Sequence, residues 1–105
     1  LRESGVADII LDPGFGFGKN IDHNYALLRN LSAFAMLELP LLAGLSRKSM
    51  IYKLLDTDAA GALEGTQSLN TLALANGAAI LRVHDVCPAV QAIKLFSCYA
   101  KQRCL

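Results

Sequence analysis

The sequence has almost no net charge. Ten Lys and Arg stand against nine Asp and Glu, so its 105 residues sum to +1. That argues against a nucleic-acid surface, which needs a clustered basic patch. Long apolar stretches are missing too; none approaches the ~20 residues that span a bilayer, so no membrane partner is expected. The N-terminus, Leu1-Arg2-Glu3-Ser4-Gly5, has neither Met nor signal-peptide character, and reads as a cut inside a longer protein. Cysteine is scarce. Cys87, Cys98 and Cys104 form no CxxC pair and have no His at ligand spacing. Being odd in number, they read as reduced thiols in a cytoplasmic protein. A Ser-His-Asp triad, a Cys-His pair, a zinc cluster and a low-complexity linker are likewise absent. What remains is a chain that is 53% hydrophobic, fit for one globular unit or part of one.

Three short apolar runs recur at near-even spacing: Val6–Leu11, Leu41–Leu45 and Ala78–Val83. None alternates cleanly between polar and apolar, which suits strands buried on both faces. A helical pattern follows each. The first covers Asp22 to Phe34, with Leu27, Leu28, Leu31 and Phe34 on one side and Asn20 or Asp22 as cap. The second begins at Ser46 and runs to Leu55. After a loop through Asp56, Thr57, Asp58 and Gly61, another helix places Leu69, Leu72, Ala73 and Asn76 and stops at Gly77. The third has Pro88 in its first turn and a stripe of Ala89, Ile93, Phe96 and Ala100. Strand and helix in alternation predict parallel βα units, belonging to a doubly wound sheet or to part of a (β/α)₈ barrel. Right-handed crossovers point all three strands the same way, so their C-terminal ends lie side by side.

Most of the chemically capable residues fall at those ends, where parallel α/β folds bind ligands. The first strand ends in Asp12 and the loop Pro13-Gly14-Phe15-Gly16-Phe17-Gly18-Lys19-Asn20. Its glycines allow positive φ and close backbone approach. The spacing matches neither GxxxxGK[ST] nor GxGxxG, so a plain βα turn is the alternative. Asp12 is costly at a buried strand end unless it meets a partner. That partner is a planar N–C–N group of a ligand, held by two parallel hydrogen bonds, or a neighbouring Lys or Arg. Phe15 and Phe17 cover a flat ligand or join the core. The second end, Ser46-Arg47-Lys48-Ser49, reads as a capped helix start with cations beside it, an anion site or an ordinary solvated terminus. In the third, Arg82 and His84 share one face of a strand and suit phosphate or pyrophosphate. Asp85 either orients His84 or caps the last helix. Lys19, His23, Lys94, Lys101 and Arg103 read as solvated surface. The sum is a mouth for a flat, nitrogen-rich ligand bearing phosphates.

The blocks LDPGFGFGKN (11–20), HNYALLRNL (23–31), GLSRKSMI (44–51) and ILRVHDV (80–86) resemble, in order and separation, the C-terminal part of dihydropteroate synthases. The resemblance covers essentially the whole chain. It implies an α/β fold of parallel βα units, the C-terminal part of a (β/α)₈ TIM barrel, incomplete here because three units cannot close one. Residues 1–105 are then one C-terminal fragment of a pterin-binding barrel domain, expected to be inactive alone. The implied reaction condenses 6-hydroxymethyl-7,8-dihydropterin pyrophosphate with p-aminobenzoate, giving 7,8-dihydropteroate and pyrophosphate in folate biosynthesis. Mg²⁺ is the implied cofactor, its ligand expected from the part preceding this chain and none from within it. Carried over by position, Asp12 holds the aminopyrimidine edge and Lys48 the pterin ring. Arg82 stacks on the pterin and, with His84, holds the pyrophosphate. Phe17 flanks the aminobenzoate, whose carboxylate meets Ser49, and sulfonamides compete there. Lys48, Arg82 and His84 are the implied catalytic residues, and a homodimer through the late helices is a further possibility. Two rivals stand beside this reading: a pterin-binding methyltransferase barrel, and a non-catalytic fragment or pseudoenzyme acting as an interaction partner.

Overall fold

A computed structural model of the chain describes residues 9–16 and 19–101. Phe17, Gly18, Arg103, Cys104 and all but the end of the first apolar run lie outside the described residues. The elements in order are α1 (Ile21–Arg29), a 3₁₀ segment (Leu31–Leu37), β1 (Leu42–Ala43), α2 (Ser49–Tyr52), α3 (Leu63–Ala75), β2 (Ile80–Leu81) and α4 (Val86–Lys101). β1 pairs with β2 in parallel, Leu42 opposite Ile80 and Ala43 opposite Leu81. A parallel bridge joins Leu11 to Leu41. The three expected strands are therefore neighbours in chain order, all pointing one way, although each is shorter than its apolar run.

Strand alternation places the core on one side of this sheet. Leu41, Ala43 and Leu45 are buried with Phe15, Leu28, Leu31, Met50, Ile51, Leu69 and Ala73 beneath the helices. Leu42, Gly44 and Ser46 then take the opposite face. The register carries that face sideways to Ile80 and, just past the end of β2, to Arg82 and His84, whose N–H groups reach Ala43 O and Ser46 Oγ. This simple parity decides what the strand ends present to a ligand.

The helices depart from the sequence reading in phase more than in place. Asn20, not Asp22, caps α1, its side chain accepting the His23 N–H. That helix stops at Arg29 and continues as a 3₁₀ segment. The helix expected from Ser46 starts only at Ser49, with Lys48 at the N-cap position. On α3 the buried face is Thr66, Leu69, Asn70, Ala73 and Leu74, whereas Leu72, expected inside, is 49% exposed. Thr66 and Asn70 supply two of the inward positions, which a search for apolar residues alone passes over. The end of α3 is a Schellman closure: Ala78 N–H reaches Ala73 O at 2.9 Å and Gly77 N–H reaches Leu74 O at 3.2 Å. On α4 the buried residues are Ala89 and Ala92; Ile93 and Ala100 of the expected stripe are exposed. Small alanines let α4 lie close to α3. One cost is visible inside: Asn70 is fully buried with neither side-chain amide atom hydrogen-bonded.

Candidate functional site

Gly44, Ser46, Lys48, Arg82, Val83 and His84 line a hollow of about 120 Å³ at the C-terminal ends of β1 and β2. Arg82 enters it because its neighbour across the sheet has no side chain. A Cβ at Gly44 would lie 2.6 Å from Arg82 Nη2 and 3.1 Å from Cζ and Nε, so the guanidinium rests against the Gly44 backbone. Asp12 is on the same side, its Oδ2 3.7 Å from Arg82 Nη1, while its Oδ1 accepts the Gly14 N–H at 2.9 Å. Lys48, Arg82 and His84 thus line one hollow, and Asp12 stands beside it in contact with Arg82. The pair of Asp12 with Arg82 is the ordinary ion-pair alternative weighed for Asp12; at this exposure and distance it holds the carboxylate only loosely.

The glycine loop is tied down from both sides. Gly14 and Gly16 have φ of 78° and 89°, a region that side chains resist. Asn24, buried on α1, accepts the Gly16 N–H at 2.8 Å and gives its own amide hydrogen to Asn20 O. Lys48 Nζ donates to Phe15 O. Lys19, expected as solvated surface, instead donates to Gly14 O at 3.0 Å. Phe15 is core, 1% exposed, so of the two rings only Phe17, outside the described residues, is left for a ligand. Burial lowers the Lys48 pKa, with Arg82 and Lys19 adding to the effect and Asp12 opposing it. Three cations face one acid here, so an anion is the natural complement.

Arg47 proves not to be part of the anion site. It has φ of 54°, and five hydrogen bonds hold it there. Its N–H goes to Thr66 Oγ1 at 3.0 Å. Nε and Nη2 grip Asp85 at 2.9 and 3.0 Å, and Nη1 reaches Ala59 O and Ala60 O. Asp85 therefore neither orients His84 nor caps α4 through its side chain; it is the anchor of a strut between the two strand-end loops. The hydrogen bond from Arg47 lowers the Asp85 pKa. A carboxyl lowered on folding lends stability above its unfolded pKa and loses it as pH falls through the folded one. Asp85→Asn is expected to lower the urea midpoint near neutral pH. Its difference from the unsubstituted protein should shrink along the acid limb, and a pH-independent difference would contradict the assignment.

Ser46, expected as a helix cap, is buried and turned the other way. Its Oγ lies 2.8 Å from His84 Nδ1 and accepts the His84 N–H at 3.2 Å. Ser49 does not line the Arg82 hollow. It borders a neighbouring one of about 430 Å³ with Lys19, Asn20, Asp22, Asn24 and Lys53. The helix it starts is one turn long, too short for a substantial dipole. Gly44, Ser46, Asn24 and the Arg47–Asp85 strut hold roles that the motif reading did not give them. The first two were available from strand parity, since Gly44 must neighbour Arg82 and Ser46 must neighbour His84 once the runs are aligned.

The profile of the family described as pterin binding enzyme matches residues 1–84. The chain is 47% identical over 96 residues to the dihydropteroate synthase of Escherichia coli K12, covering 90% of this chain and 34% of the relative. It is 48% identical to a bifunctional dihydropteroate synthase/dihydropteroate reductase of Helicobacter pylori, covering 91% and 25%. The chain thus spans about a third or less of the length of these curated relatives. Among solved structures, the 7,8-dihydropteroate synthase of Vibrio fischeri superposes with a TM-score of 0.92 at 46% identity, covering 98% of this chain and 39% of that one. The Coxiella burnetii dihydropteroate synthase in complex with pteroic acid gives 0.89 at 39% identity, covering 95% and 38%. The three parallel βα units correspond to part of such a (β/α)₈ barrel.

Proposed function

The chain belongs to the pterin binding enzyme family, and on that premise we propose that the whole protein is a dihydropteroate synthase, condensing 6-hydroxymethyl-7,8-dihydropterin pyrophosphate with p-aminobenzoate. One observation carries the reading: Arg82 and His84 line one hollow with Lys48, on the sheet face that also bears Asp12. An acid for an aminopyrimidine edge thus lies beside cationic and ring donors for a diphosphate.

The roles follow from the chemistry. Asp12 accepts two hydrogen bonds from the N–C–N edge of the pterin, and Lys48 donates to the ring. Arg82 stacks on the pterin plane and faces the pyrophosphate together with His84. The bond between the methylene carbon and the pyrophosphate oxygen breaks with its electron pair going to the leaving group. The electron-rich pterin stabilises the resulting cation. The cations of the hollow stabilise the charge that builds on the departing oxygen. The arylamine nitrogen, held in place, attacks the methylene and then loses a proton. The protein supplies no nucleophile. Ser49 meets the aminobenzoate carboxylate in the adjoining hollow, where Lys19 and Lys53 supply positive charge, and Phe17 flanks the ring. Sulfonamides compete with the aminobenzoate.

Among the described residues, no three His, Cys, Asp or Glu side chains converge on one point. In this proposal the ligands of Mg²⁺ belong to the rest of the protein. No helix of the described residues is long and apolar enough to cross a membrane. A cytoplasmic location is part of the same reading, supported by the exposed free thiol of Cys87. So is a homodimer through the last helix, supported by the exposure of Val90, Leu95 and Tyr99 on α4.

The direct test is turnover by the full-length protein: dihydropteroate formed from the two substrates with release of pyrophosphate. Absence of product while a folate-dependent methyl transfer proceeds would replace this reading by the methyltransferase one. A narrower test is Asp12→Asn, which removes the charge but not the shape. Its expected effect is about tenfold weaker pterin binding, near 1.5 kcal/mol, by isothermal titration. Unchanged affinity would remove Asp12 from that role.

A further inference from the structure

His84 has two ring nitrogens, and only one can present its hydrogen to a ligand in the neutral ring. The structure engages the first. Ser46, 6% exposed, sits across the sheet from His84 with its Oγ 2.8 Å from Nδ1. The same Oγ accepts the backbone N–H of His84 at 3.2 Å. The hydroxyl keeps its own hydrogen to give, and Nδ1 lies within its reach. A hydrogen donated to Nδ1 leaves the proton of the neutral imidazole on Nε2, which has no partner among the described residues. The two contacts also pin His84 at both backbone and ring, so rotation about its side-chain bonds breaks a hydrogen bond. The usual orienter of such a His is a carboxylate. The carboxylate next to it in the chain, Asp85, is held by Arg47 through both of its oxygens, which leaves the task to Ser46.

We propose that Ser46 is a positioning residue for His84, fixing the ring by a hydrogen bond to Nδ1 so that Nε2–H is offered to the diphosphate of the substrate. The diphosphate part of this statement rests on the functional reading above; the hydrogen-bond part does not.

The test uses the full-length protein. Nitrogen-15 NMR of ring-labelled His84, without ligand and with the imidazole neutral, is expected to show Nδ1 as a hydrogen-bonded acceptor and Nε2 as the protonated nitrogen. A ring protonated on Nδ1 would overturn the proposal without any variant being made. In Ser46→Ala the Nδ1 signal should move to the position of an unbonded ring nitrogen. The kcat/KM for pterin pyrophosphate and the affinity for inorganic pyrophosphate should each fall about tenfold, with binding of the pterin alone unchanged. Ser46→Thr, which keeps the hydroxyl, should restore the signal and most of the loss. If Ser46→Ala leaves both the signal and pyrophosphate affinity unchanged while His84→Ala weakens that affinity, Ser46 is not the orienter. If His84→Ala itself leaves pyrophosphate affinity unchanged, the diphosphate part of the proposal falls, the Nδ1 signal alone decides the positioning part, and turnover by the unsubstituted protein decides the functional reading separately.

Discussion

Replacing Arg82 by Ala in the full-length protein is expected to lower kcat/KM for pterin pyrophosphate by about 10²–10³-fold while leaving the fold intact. The magnitude is that of removing one preorganised donor from the place where charge develops, about 2.7–4 kcal/mol of transition-state stabilisation. The fold should survive because Arg82 contributes little to it. Its side chain is 56% exposed and its ionic contact with Asp12 is long, at 3.7 Å; such pairs are worth under ~1 kcal/mol. Arg82→Lys should recover only part of the loss, since an ammonium keeps the charge but neither stacks as a plane nor grips two oxygens at once. Steady-state kinetics with a urea titration of the same preparations separates the two effects. Near-normal turnover in Arg82→Ala would remove Arg82 from the leaving-group site, and a collapsed urea midpoint would make it a structural residue.

Much of this arrangement was legible from the chain because parallel βα units impose strict geometry. Three apolar runs, each followed by a helical pattern, left few topologies, and right-handed crossovers set the direction of every strand. Arg82 and His84, two residues apart, had to share a face. Helix phase was less legible. Thr66 and Asn70 occupy inward positions on α3, so polarity pointed to the wrong face and Leu72 took their place in the reading. Short-range rules misplaced Ser46 for a related reason. A Ser before a helical pattern is a good cap candidate, but here the register across the sheet sets a histidine beside it, and the long-range bond to His84 wins. Arg47 shows the same competition: its local setting suggests an anion site, while Asp85 and the carbonyls of Ala59 and Ala60 claim its donors. Propensity speaks for neighbours in sequence, and at this site the deciding partners come from the adjoining strand.

Gly44→Ala tests that dependence on the adjoining strand most sharply. The added methyl would begin 2.6 Å from Arg82 Nη2, with Cζ and Nε at 3.1 Å. All three atoms belong to the far end of a flexible side chain, so the guanidinium swings away and the strand stays where it is. Stability should therefore change by no more than ~1 kcal/mol, the size of an ordinary Gly-to-Ala effect. Catalysis should fall about 10²-fold, because a displacement of that order removes the alignment between donor and leaving group. The double variant distinguishes this route from others. In an Arg82→Ala background there is no guanidinium to displace, so the methyl at position 44 should cost almost nothing further, and the two losses should be strongly non-additive. Losses that simply multiply would mean that Gly44 serves the site in some other way, through the backbone or direct approach of the ligand, and not by making room for Arg82.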